Sequence, residues 1–237
     1  MKQQMQILLH RSEREAVFLV GTTWLAFVAA LCMALPQPPQ LLYVLCGAVV
    51  GAVMTLAGFA AASRARSVPR HSPRQRVALA VLAAVAGVAL GVTLLTALVF
   101  LSRHESALHA RFAGRLSEPL WRPWALGFES AILEEVTFRL SAMSIVAWLM
   151  ARMLDNPRRA FNIALAASAL LFGLAHLPAW LAVTHASAAL VAGVLLLNGL
   201  GGIVFGLAFW RAGLPYAMVC HFFADLVVQG FAPRLLA

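Results

Sequence analysis

Seven long apolar runs divide this sequence, and they constrain its fold more than any other feature. A helix that crosses a membrane needs about 20 mostly apolar residues. Runs of that length cover residues 16–35, 41–62, 77–101, 124–150, 160–180, 188–210 and 213–231. Turn-forming segments such as PQPP at 36–39 and DNP at 155–157 separate them. The sequence therefore predicts an all-α fold, a polytopic bundle of about seven transmembrane helices.

The composition agrees with a membrane protein and excludes two other classes. Hydrophobic residues make up 62% of the chain and charged residues only 11%, whereas a soluble domain has about a quarter charged. The net charge of +9 does not indicate nucleic-acid binding, because the basic residues cluster in short segments between apolar runs. Three cysteines without paired spacing indicate small core residues rather than a disulfide framework.

The chain is predicted to form a single membrane domain over residues 1–237. Residues 1–123 would hold the first three helices and a loop, and residues 124–231 a core of the last four. Within the loop, residues 102–123 are predicted to lie along the membrane interface as an amphipathic helix. Glycines four residues apart predict close helix packing, and they are Gly47/Gly51, Gly87/Gly91 and Gly202/Gly206.

Basic residues are distributed unequally between the two sides of the predicted bundle. With the N-terminus inside, the inner segments carry 12 lysines and arginines and the outer segments 5. Positive residues favour the cytoplasmic side. The sequence therefore predicts a multi-pass protein of the cell membrane with a cytoplasmic N-terminus.

Ionisable residues inside the predicted spans are confined to the fourth, fifth and seventh. They are Glu129, Glu134, Glu135, Arg139, His176, His221 and Asp225. Charged groups are costly in a membrane interior and usually mark a site or a pathway there. A structural interpretation is also open, because Glu135 and Arg139 stand four residues apart, as do His221 and Asp225. As a set, these residues supply the parts for acid–base or metal chemistry.

Depth along the helices predicts that three of these residues meet. At 1.5 Å per residue, Glu134 and His221 lie about 15 Å from the outer ends of their spans, and His176 is shallower, at about 6 Å. The three side chains would then meet in the outer half of the bilayer. Three carboxylates would outweigh the single arginine of this cluster, so a protonated carboxyl, a charged histidine or a bound metal ion is required.

Three motifs follow one another in the last four spans: E-E-x-x-x-R at 134–139, F-x-x-x-H at 172–176 and H-x-x-x-D at 221–225. In this order, and each inside a span, they resemble the CPBP family of intramembrane endopeptidases. This is the CAAX-protease and bacteriocin-processing family, also called Abi, which includes the Rce1-type prenyl-protein proteases. The stretch GGIVFGLAFWRAGLPYAMVCHFFAD at 201–225 is similar to the last segments of the family. The resemblance covers about the C-terminal half of the chain.

The resemblance implies a role for each motif residue. Glu134 would activate water, His176 and His221 would hold the water and the substrate, and Arg139 would fix the pair formed by Glu134 and Glu135. The last motif often ends in Asn, which is interpreted in the family as an oxyanion-hole donor. This chain has Asp225, and an ionised aspartate cannot donate a hydrogen bond. Asp225 is therefore protonated, orients His221 or joins a metal shell.

Two accounts of the cofactor remain open, because the family has been described both as glutamate-dependent and as metallo-proteases. The site would need no cofactor, or it would hold a zinc ion. The zinc ligands would be Glu134, His176, His221 and Asp225. Motifs of other intramembrane proteases, such as H-E-x-x-H, G-x-S-G and G-x-G-D, do not occur in the sequence.

The predicted function is thus hydrolysis of a peptide bond in a membrane-anchored or exported protein, near its C-terminus. The protein substrate and the lipid bilayer are the expected partners, and nucleic acid is not. Two other classes use similar residues: a non-catalytic binding or immunity factor, and a small proton-coupled transporter.

Overall fold

The computed structural model describes residues 71–181 and 187–236, together with residue 53 and the helical residues 55–62. The first predicted span and most of the second therefore lie outside the described residues. The elements that follow are helical, and the described residues contain no strand. They are α1 (Pro73–Ser102), α2 (Ser106–Ala113), α3 (Arg122–Glu134), π1 (Glu135–Met143), α4 (Ser144–Met153), α5 (Pro157–Leu181), α6 (Ala188–Arg211) and α7 (Leu214–Leu236).

The third to seventh predicted spans are confirmed as helices, with ends that differ by a few residues. Four of the described helices, α1, α5, α6 and α7, are long and apolar enough to cross a membrane. The fourth predicted span, 124–150, is helical from residue 122 to residue 153 but is not one regular α-helix. A π-helical segment, π1, separates α3 from α4. The all-α polytopic bundle is therefore the observed fold.

Local sequence signals explain where several helices begin and turn. Ser72 caps α1, because its hydroxyl accepts from the backbone of Gln75 while the Gln75 side chain binds the Ser72 backbone, and Pro73 follows at the first position. Ser187 caps α6 in the same way through Leu190 N. Gly213, with φ of +117°, forms the tight turn between α6 and α7.

The glycine pairs that the structure describes bring helices close together, as predicted. A Cβ on Gly87 would lie 2.2 Å from Cys220 O, and one on Gly91 would lie 2.7 Å from Ala224 O. These glycines of α1 therefore allow α7 to pack directly against its backbone. In the same way, a Cβ on Gly202 of α6 would lie 2.8 Å from the Cα of Ala169 on α5. The pair Gly47/Gly51 lies outside the described residues.

The predicted interfacial segment 102–123 contains the short helix α2 and a series of turns. Leu108 and Phe112 are the buried face of α2, and they pack against the N-terminal part of α6 and the C-terminal end of α7. Arg111, near the end of the helix, lies over the ring of Trp180 on α5. The segment is thus an amphipathic helix with its apolar face on the bundle, and its position along the membrane interface stays a prediction.

Candidate active site

The π-helical segment carries the two charged residues of the first motif that are most deeply buried. Its turns are widened by one residue, and the hydroxyls of Ser141 and Ser144 donate to carbonyl oxygens five residues earlier, at 2.9 and 3.1 Å. Such π turns occur within α-helices mainly at functional sites. Here the wide turn starts directly after Glu134, and the two glutamates point into different surroundings. Glu134 is partly exposed, whereas Glu135 is fully buried.

Glu135 and Arg139 form the predicted ion pair in the interior of the bundle. Arg139 Nη1 lies 3.2 Å from Glu135 Oε1, and both side chains are 0% exposed. The guanidinium also lies over aromatic rings, with its central carbon 4.3 Å from the centroid of Phe172 and 5.3 Å from that of Phe205. Cation–π contacts of this kind are strongest where water is excluded. Arg139 is therefore held in one place, with its charge balanced by Glu135.

Glu135 has a second partner, which sequence reasoning missed. His221 Nδ1 lies 2.9 Å from Glu135 Oε1, the same oxygen that faces Arg139. The His221 ring is also stacked on Phe205, at 4.3 Å between centroids and an angle of 12°. A carboxylate paired with arginine accepts hydrogen bonds, so Nδ1 of His221 is the donor. As a result, Nε2 of His221 faces the opposite way.

Nε2 of His221 lies in a cleft that is lined by Glu134, His176, His221 and Asp225. Glu134 Oε2 lies 3.7 Å from His221 Nε2 and 3.9 Å from His176 Nε2. Asp225 Oδ1 lies 3.8 Å from His221 Nε2. The side chains of Glu134, His176 and Asp225 are 28%, 29% and 23% exposed, so the cleft is open on one side. The three sequence-predicted residues Glu134, His176 and His221 thus lie together.

Distances in this cleft suit a small molecule between the polar atoms. Separations of 3.7 to 3.9 Å are too long for direct hydrogen bonds, and they are of the size at which a water molecule is expected between the groups. His176 Nδ1 donates to Phe172 O at 2.8 Å, which leaves its Nε2 turned towards Glu134. Glu134 Oε2 is buried, and it accepts no hydrogen bond from the part of the chain that the structure describes.

Asp225 has a partner that the sequence analysis did not include. The Ser130 hydroxyl donates to Asp225 Oδ2, and it lies 3.3 Å from Gly127 O of its own helix. Ser130 precedes Glu134 by four residues and therefore lies on the same face of α3. The sequence feature that could have indicated Ser130 as a site residue was its hydroxyl within an apolar helix. Nothing in the sequence showed that α7 would bring Asp225 within its reach.

The donor set can be compared with the geometry of a zinc site. Among the described residues, no group of three or more His, Cys, Asp or Glu side chains is arranged to hold one. Tetrahedral zinc, with ligand bonds of 2.0–2.1 Å, places its ligand atoms roughly 3.3 Å apart. Glu134 lies farther than that from both histidines, and Oδ2 of Asp225 is bound to Ser130. The predicted zinc ligands therefore stand slightly farther apart than in an ideal tetrahedral site, and the zinc ion stays a prediction.

The fold and this cluster define a class of protein: a helical membrane protein with acid–base residues at an open cleft between its helices. A comparison with protein families makes the class specific. Residues 116–227 match the family model described as type II CAAX prenyl endopeptidase Rce1-like. These residues include the whole candidate site, and their match to the Rce1-like family model agrees with the resemblance that the motifs suggested. No curated protein and no solved structure matches the chain.

Proposed function

We propose that this protein is an intramembrane endopeptidase in which Glu134 activates water. One observation carries the proposal: Oε2 of Glu134 lies within 4 Å of Nε2 of both His176 and His221 at the open side of the bundle. The Rce1-like family is one of proteases, which supports an enzyme over a binding factor or a transporter. A non-catalytic relative would also be expected to lack part of this set.

The geometry supports a general-base mechanism. Glu134 takes a proton from a water molecule, and the water oxygen attacks the carbonyl carbon of the scissile bond. The same proton then passes from Glu134 to the leaving nitrogen as the C–N bond breaks. Both histidines have their Nδ1–H groups bound elsewhere, to Phe172 O and to Glu135. Their Nε2 atoms therefore face the cleft, and one of them can accept the second hydrogen of the water while Glu134 removes the first.

The proposed mechanism needs no metal ion. Two experiments test this: the activity of Asp225→Asn, and the activity of the wild-type enzyme after treatment with a chelator. Asparagine supplies the donor that other family members have at this position, so Asp225→Asn should keep most of its activity in a metal-free site. The purified enzyme should also keep its activity after dialysis against a chelator. If chelator removes the activity and zinc restores it, the site binds a metal that its present geometry does not suit.

The proposed site opens to the outer side of the membrane. This proposal rests on the bias in basic residues, 12 against 5, and on the depth of Glu134 in its span. A prenylated C-terminus in the cytosol would reach such a site poorly. An exported protein with a C-terminal membrane segment or sorting tail would reach it well. We therefore favour exported or membrane-anchored proteins as substrates.

Cysteine labelling tests this orientation. In a variant without Cys32, Cys46 and Cys220, a cysteine at Ser117 should react with an impermeant thiol reagent outside intact cells. A cysteine at Ser72 should react only after the cells are opened. Both positions are exposed in the structure, so their reactivity reports the side of the membrane. The opposite labelling pattern would place the site on the cytosolic side and favour prenylated substrates.

The substrate can be identified by comparing C-termini. Membrane and exported proteins from cells with wild-type enzyme would be compared with those from cells with Glu134→Ala, by mass spectrometry of C-terminal peptides. We expect one or a few proteins to lack their mature C-terminus in the variant cells. Identical C-termini in both samples would contradict the proposed function.

A further inference from the structure

We propose that Ser130 is a positioning residue that decides which atom of residue 225 faces the cleft. The inference rests on the proposed function and concerns the same site. Ser130 donates to Oδ2 of Asp225, and the other oxygen, Oδ1, lies 3.8 Å from His221 Nε2. The hydroxyl of Ser130 contacts Asp225 and Gly127 O and neither of the two histidines of the cleft, so it acts through Asp225.

The packing of α3 on α7 makes this contact possible. Gly127, one turn before Ser130, is buried against α7, and a Cβ there would lie 3.4 Å from Cβ of Asp225. The close approach brings the Ser130 hydroxyl to the carboxyl group. A Cβ at position 127 would be in ordinary van der Waals contact, and a residue larger than alanine would widen the gap between the helices.

A hydrogen bond from Ser130 gives the two atoms at the end of side chain 225 different surroundings. The atom at the Ser130 side must accept, because the hydroxyl donates to it. Any hydrogen-bond donor of side chain 225 is then on its other terminal atom, which faces the cleft. For a protonated aspartate this is the proton on Oδ1, and for an asparagine it is the amide NH₂. In both cases the donor faces the place where negative charge develops on the substrate carbonyl oxygen.

Charge around the cleft supports a donor at this position. The groups that line the cleft beside Asp225 are Glu134 from α3, His176 from α5 and His221 from α7. The pair Glu135 and Arg139 of π1 is buried on the other side of the His221 ring. An ionised Asp225 would add a third carboxylate to a cluster with one arginine. A hydroxyl that binds one oxygen of Asp225 lets the side chain act as a donor through the other. The serine thus makes aspartate able to replace the asparagine that is usual in the family.

The contact can be tested without a substrate. The chain has two aspartates, Asp155 and Asp225, so ¹³C-aspartate labelling in an Asp155→Asn background marks Asp225 alone. The isotope-edited infrared band of the Asp225 carboxyl group should shift in Ser130→Ala. It should stay near the wild-type position in Ser130→Thr, which keeps the hydroxyl. Thr96→Ala is the control, because Thr96 is an exposed residue of α1 whose hydroxyl binds only Val92 O.

The functional consequence is tested by a double-mutant cycle. The assay uses liposomes with a synthetic peptide that carries a fluorophore and a quencher on either side of the cleavage site found by C-terminal mass spectrometry. Ser130→Ala should lower kcat about tenfold or more with little change in KM, and Ser130→Thr should restore it. In an Asp225→Ala background, Ser130→Ala should change kcat by less than about twofold, because the group that it positions is gone.

Equal losses in the two backgrounds would overturn the inference, as would an unchanged infrared band in Ser130→Ala. These results are distinct from a failure of the proposed function. If wild-type enzyme and Glu134→Gln leave the same C-termini in cells, the proteolytic function is wrong, and the infrared experiment still decides whether Ser130 binds Asp225. If Ser130→Ala does not accumulate, Ser130→Cys keeps the size but donates weakly, and it replaces the alanine in both tests.

Discussion

Replacing Glu134 with glutamine is expected to lower peptide hydrolysis at least about a hundredfold, because glutamine keeps the size of the side chain but cannot accept a proton from water. The variant should insert and melt like wild type, since Glu134 is partly exposed and forms no ion pair with Arg139. Turnover would be measured with purified enzyme in liposomes, on the same quenched peptide.

Glu129→Gln is the matched control for this experiment. Glu129 is a partly buried glutamate of the same helix, α3, and it has no contact with either histidine in the structure. Its replacement makes the same chemical change five residues away, and we expect nearly normal turnover. Near-normal turnover by Glu134→Gln itself would rule out Glu134 as the general base.

Replacing Arg139 with leucine is expected to destabilise the protein by about 3–5 kcal/mol, because it leaves the carboxylate of Glu135 buried without its cation. The rings of Phe172 and Phe205 would lose the guanidinium between them as well. His221 is anchored on the same Glu135 oxygen, so activity should fall together with stability. Thermal unfolding in detergent measures the first effect, and turnover below the melting temperature measures the second.

Arg152→Leu is the control for the loss of an arginine. Arg152 lies over Trp148 at 4.2 Å in α4, but it is exposed, and we expect it to change the melting temperature little. The double variant Glu135→Gln, Arg139→Leu should recover part of the stability that Arg139→Leu loses, since it removes the stranded charge. If Arg139→Leu melts like wild type, the buried pair does not stabilise the fold.

Much of the fold followed from the sequence, because apolar length predicts membrane helices with few alternatives. Helices were confirmed over the third to seventh predicted spans within a few residues at each end, and four of them are long and apolar enough to cross a membrane. The cluster of Glu134, His176 and His221 was also predictable, since charged residues are rare within spans and all three lie in the outer halves of their predicted spans. Their catalytic roles, the orientation of the chain and the division at residue 123 stay predictions.

Contacts between helices could not be predicted in the same way. Spacing along one helix shows that Glu135 and Arg139 share a face, but it does not show that His221 from α7 would bind the same carboxylate. The π turn depends on hydroxyl groups that compete for backbone carbonyls, and a serine in a helix has no single preferred partner. The contact between Ser130 and Asp225 likewise depends on how closely α3 approaches α7.

The close contact of the α1 glycines with α7 has a consequence for the shortest fragment of this protein that could be produced by itself. The family match begins at residue 116, so it leaves out α1, although Gly87 and Gly91 lie against the backbone of the stretch of α7 that carries His221 and Asp225. A fragment limited to the matched residues would lack α1. The stretch of α7 that α1 now covers would then be exposed to lipid. We therefore expect a fragment that folds on its own to be longer than the matched segment and to include α1, which begins at Pro73.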